Sequence, residues 1–61
     1  MIITLNDGRK LNMIWVVSFF QDKNKVVYET AKGQRTRIEE VFETENDAKT
    51  RVEELEQNFV I

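Results

Sequence analysis

Carboxylates are the most numerous side chains able to do acid–base chemistry in this 61-residue sequence, which has no histidine, no cysteine and a single serine, Ser18. Proton transfer or nucleophilic attack needs a positioned base, or an activated hydroxyl, thiol or amine. Ser18 lies inside an apolar run, where a small residue tolerated on a sheet face is the simpler reading. Glu39-Glu40 and Glu53-Glu54 are adjacent pairs, so in regular structure their carboxylates point apart instead of converging on one substrate. The usual nitrogen and sulfur ligands of zinc are missing. Asn6-Asp7-Gly8 is not followed by the ligand spacing of an EF-hand, and Gly33 has no second glycine at phosphate-loop spacing. These absences predict a non-enzymatic protein with no cofactor and no metal.

The elements that would position any binding residues are legible from punctuation and periodicity. A chain this short makes one domain, residues 1–61, with no disulfide to staple it, so self-association is a plausible source of further buried surface. The longest apolar stretch, Met13 to Phe20, is interrupted by Ser18 and is far short of the roughly 20 residues that span a bilayer. No membrane association is expected. The opening residues lack a basic leader, which makes the cytoplasm the default location.

Asn6-Asp7-Gly8 suits a three-residue hairpin loop in which Gly8 takes the left-handed conformation. That loop sets Leu5 opposite Arg9 and Ile3 opposite Leu11. A long second strand, about residues 9 to 20, then places Ile3, Leu5, Leu11, Met13, Trp15, Val17 and Phe19 on one side. After a polar turn at Gln21 to Asn24, Lys25 to Ala31 reads as a third strand. A turn around Gly33 leads to a fourth, Arg35 to Phe42. Thr44 is a good N-cap for a helix running to about Asn58, whose Ala48, Val52, Leu55 and Phe59 form one stripe. Glu45 with Lys49 and Asp47 with Arg51 read as pairs on its exposed side. The expected architecture is α+β: a four-stranded, mostly antiparallel meander sheet followed by one C-terminal helix packed on one face.

Two features go beyond scaffold. If the odd positions of the long strand face the helix, Ile14, Val16 and Phe20 point to a face with no second helix to cover it, and Phe59 and Ile61 add an apolar terminus. Uncovered apolar surface of this kind marks a partner site, either a twofold homodimer or another protein. A β-bulge, or the tail itself, is the competing way to hide it. The opposite assignment of faces also stays open.

The second feature is charge. Residues 1 to 37 carry a balance of +4 and residues 38 to 61 a balance of −6 within a net charge of −2. A basic sheet presenting Lys10, Lys25, Arg35 and Arg37 beside Tyr28 is the pattern of a single-stranded nucleic-acid binder, the alternative to the protein-interaction module. Lysines and arginines kept solvated on edge strands give the same pattern.

The opening Met1 to Lys10 (MIITLNDGRK), with the join Phe42 to Ala48 (FETENDA) leading into a charged helix, resembles small uncharacterised proteins of low-GC Gram-positive bacteria and their phages. The resemblance implies a cytoplasmic, non-catalytic accessory role and carries over no functional residue. For a phage-borne chain it implies an inhibitor or adaptor of a host protein, with the acidic helix as its contact surface.

Overall fold

The computed structural model describes residues 1–31 and 36–58. The expected turn at Gly33 and the candidate residues Arg35, Phe59 and Ile61 lie outside that range. Among the described residues five strands precede one helix: β1 (Ile2–Thr4), β2 (Lys10–Asn12), β3 (Val16–Asp22), β4 (Lys25–Thr30), β5 (Thr36–Val41) and α1 (Glu45–Asn58). All pairings are antiparallel, and they form two sheets, β1-β2 and β3-β4-β5.

The hairpin β1-β2 has the expected register, with Ile3 opposite Leu11. Leu5 donates its amide to the Arg9 carbonyl at 2.8 Å, and Gly8 donates to Leu5 at 3.0 Å. Gly8 has φ +93°, a conformation glycine reaches without steric cost. Leu5, Leu11 and Met13 are buried on one side as the alternation requires.

The single four-stranded sheet is a correction, and the reason lies at Asn12. Its side-chain oxygen accepts from the Ile14 amide at 3.2 Å, capping a 3₁₀ turn at Met13–Trp15 that breaks the long second strand in two. Asparagine competes with the ladder in this way because its short amide bonds to the main chain two residues on. A bulge between Val16 and Ser18 shifts the register once more. Together they reverse the assignment of three consecutive residues. Val16, expected on the open face, packs against the core, whereas Val17 and Trp15, expected inside, are exposed.

Below the bulge the alternation holds. Phe19 is opposite Tyr28 and Tyr28 opposite Ile38; Gln21 is opposite Val26 and Val26 opposite Glu40. These residues line the face that α1 covers. Thr44 caps the helix as expected, its hydroxyl accepting from the Asp47 amide at 3.1 Å. Ala48 and Leu55 are buried and Val52 packs beside them, so the helical stripe seats on Leu5, Leu11, Met13, Val26 and Tyr28 to make the core. No described helix is long and apolar enough to cross a membrane.

Candidate functional site: a buried polar node and an exposed apolar strip

The largest departure from an apolar core is Glu40, which is 1% exposed. Its place in β5 puts it on the helix-covered face with Ile38. Arg51 reaches it from α1, donating from Nε to Oε1 at 3.0 Å and from Nη2 to Oε2 at 2.9 Å. The Tyr28 hydroxyl donates to Oε1 at 2.8 Å and the Asn6 amide to Oε2 at 2.8 Å. Arg51 Nη2 also donates to the Thr4 carbonyl at 2.9 Å. One carboxylate thus ties the hairpin, the three-stranded sheet and the helix together. No buried side-chain polar atom among the described residues lacks a partner.

Burial pushes the Glu40 carboxyl up, but the hydrogen bonds from Arg51, Tyr28 and the Asn6 amide outweigh it and hold the group below the ordinary glutamate range. Hydrogen bonding to Glu40 raises the Arg51 guanidinium against the cost of burial. Burial, then the hydrogen bond to Glu40, drives the Tyr28 phenol upward. The two oxygens of the Glu40 carboxylate accept four hydrogen bonds, from Arg51, Tyr28 and the Asn6 amide, all of them within the fold. The groove beside them, about 160 Å³ and lined by Met1, Ile3, Arg51, Glu54, Leu55 and Asn58, is smaller than a usual ligand site. The node therefore holds the fold. The expected exposed pair of Asp47 with Arg51 gives way to this inward one.

The sequence carried a signal for the node. Glu40 occupies a place in the alternation Thr36, Ile38, Glu40, Phe42 that faces the core, and Arg51 stands between Ala48 and Leu55 at helical spacing. A carboxylate and a guanidinium on two faces that must meet predict each other.

The described residues among those anticipated as a nucleic-acid surface, Lys10, Lys25, Tyr28 and Arg37, fall on different faces and sheets. Tyr28 is fully buried and offers no ring face to a base. Lys25 lies 3.7 Å from Glu39 and Arg37 3.9 Å from Glu29, so each has a carboxylate beside it on the outer face. Lys10 sits on the other sheet, with its ammonium on the Thr4 hydroxyl at 2.9 Å.

The anticipated interaction residues divide. Ile14 is 72% exposed in the 3₁₀ turn and Phe20 is 39% exposed on the face opposite the helix. Val16 does not belong with them; Trp15 and Val17 do. Ile14, Trp15, Val17 and Phe20 make an exposed apolar strip along one short stretch of chain. Phe20 stands over Val27, which is buried on the outer face. Around them that face is polar: Ser18 donates to Glu29 at 2.9 Å, with Arg37 next to it, and Lys25 lies between Asp22 and Val41.

No protein-family model matches the chain, and no curated protein or solved structure shows significant similarity to it.

Proposed function

We propose that this chain is a non-enzymatic protein-interaction module that binds, and in the first instance self-associates, through the strip Ile14, Trp15, Val17 and Phe20. The observation that supports it is the placement of these four large apolar side chains at the surface within seven residues of chain, on and beside an edge strand. Exposed apolar residues scattered singly need no explanation, whereas a rimmed cluster marks an interface. The polar grid of Ser18, Glu29, Arg37, Lys25 and Glu39 supplies the rim.

The test is solution mass by light scattering across a wide concentration range. The wild type gives a concentration-dependent dimer, and Val17→Lys dissociates it without loss of helix or sheet signal. Val17 suits this test and Val16 does not, since Val16→Lys would bury a charge against the core. A dimer that Val17→Lys leaves intact removes the strip from the reading.

A second reading rests on the helix. With Arg51 turned inward to Glu40, the solvent side of α1 presents Glu45, Asp47, Glu53 and Glu56 with Lys49 as the cation among them. That surface suits a basic protein partner. Binding unchanged by reversing Glu53 and Glu56 to lysine would end it.

A further inference from the structure

The two edges of the three-stranded sheet are treated differently. The Phe42 amide donates to the Asn24 carbonyl at 2.8 Å, which fixes the alternation along β5: Ile38 and Glu40 turn their main-chain groups to β4, and Glu39 and Val41 turn theirs outward. Those outward carbonyls are taken. Arg9 Nη2 donates to Glu39 at 2.7 Å and Asn6 Nδ2 donates to Val41, so the hairpin loop closes that edge with side chains.

On the opposite edge the same alternation makes Lys25, Val27 and Glu29 bond to Asp22, Phe20 and Ser18. Phe19 and Gln21 then direct their main-chain groups away from the sheet, and among the described residues β3 has a strand on one side alone. The devices that blunt edges are charge, proline, bulges and covering loops. From Ser18 to Gln21 the strand has no charge and no proline, and its bulge ends at Ser18.

We propose that a second copy of this chain covers the β3 edge, by antiparallel pairing of β3 with β3 about a twofold axis at Phe20. This deepens the self-association reading and rests on it. An outward row of amides and carbonyls is matched by another extended backbone, and an axis at Phe20 sets Phe19 of each copy opposite Gln21 of the other, so that all of these groups are paired. Phe20 then meets Phe20 of the second copy as a non-hydrogen-bonded pair, the closer of the two antiparallel arrangements. The charges also fit this register. Asp22 falls opposite Ser18 of the second copy, and the two Asp22 carboxylates lie at opposite ends of the pairing, with no like charges facing each other. Pairing through β5 would instead have to displace Arg9 and Asn6 from the Glu39 and Val41 carbonyls. Six strands in one continuous sheet is the result.

The absence of native cysteine makes the register directly testable. Ser18→Cys and Asp22→Cys variants, each with Phe20 intact, are oxidised mildly, alone and mixed. In the proposed register the Cα atoms of these two positions are about 4.5 Å apart, within disulfide reach. The expected result is a cross-linked heterodimer as the main product of the mixture and little product from either variant alone. In parallel, Phe20→Lys weakens self-association of the otherwise native chain by roughly tenfold or more, the loss typical of a central aromatic anchor. A dimer by light scattering with no mixed cross-link, or with equal cross-linking in all three samples, overturns the edge pairing while the apolar strip remains an interface. A wild type that stays monomeric at all concentrations overturns the second copy as occupant and leaves the strip to a different protein.

Discussion

Glu39 and Glu40 are neighbours in the chain and each faces a cation, yet they lie on opposite faces of the same sheet and do different things. Glu40 is enclosed, with Arg51, Tyr28 and the Asn6 amide occupying its oxygens. Glu39 is exposed and has Lys25 at 3.7 Å, at the long end of an ion pair. Taking a carboxylate out of water costs several kcal/mol, which only a complete set of bonds offsets, whereas an exposed pair costs and contributes little. The difference teaches that the covered face is specified by one polar node and the outer face by nothing comparable. The outer face and its β3 edge are the surface on which the proposed self-association rests.

The sharpest way to break this contrast is Arg51→Ala. It leaves Glu40 buried without its counter-charge and loses a tie to Thr4, so unfolding in urea should show a loss of about 3–5 kcal/mol. For a domain of this size each kcal/mol corresponds to roughly 4–8 °C in Tm, so the variant is expected to be largely unfolded at 37 °C. A loss below about 1 kcal/mol would mean that the node is ornamental.

Acid titration sharpens the contrast at intermediate size. Glu40 has a folded pKa below its unfolded value, so its contribution is fully present above the ordinary glutamate range of about 4.3 and is lost as pH falls through the lower folded value. The urea midpoint of the wild type should fall through this window. Glu40→Gln should start lower and fall less steeply. Parallel curves for the two proteins would remove Glu40 as the acid-sensitive group.

The smallest effect belongs to the outer face. Replacing Lys25 and Glu39 together by glutamine should change stability by no more than about 1 kcal/mol, measured in the same urea assay. A loss matching that of Arg51→Ala would erase the distinction between the faces.

Much of the frame was legible without coordinates. The hairpin followed from Asn6-Asp7-Gly8, and the helix from Thr44 and the stripe Ala48, Val52, Leu55, because turns and caps are local chemistry read over a few residues. The split of the long strand was less visible. Its sign was one asparagine, Asn12, amid residues with strong strand preference, and a single side-chain cap outweighed that preference. Once the strand was broken and bulged, period-two counting from Leu11 assigned Val16 and Val17 to the wrong sides, since one inserted residue inverts every later position. Phe19 and Phe20 came out on their expected faces because the 3₁₀ turn and the bulge together restored the parity.

The sequence by itself determined the class of the molecule: antiparallel strands and one capped helix, with histidine and cysteine chemistry absent. Tertiary structure decided which charges matter. Arg51 could pair with Asp47 along its own helix or with Glu40 across the core, and local spacing favours the first by only a few tenths of a kcal/mol. Packing the helix on the sheet made the second compulsory, because a buried carboxylate must be matched and the guanidinium was the group in reach. Which edge of the sheet the hairpin loop closes was decided in the same way. The loop residues Asn6 and Arg9 reach the β5 edge only because the chain folds back to it across 35 and 30 residues, a distance over which no sequence pattern acts.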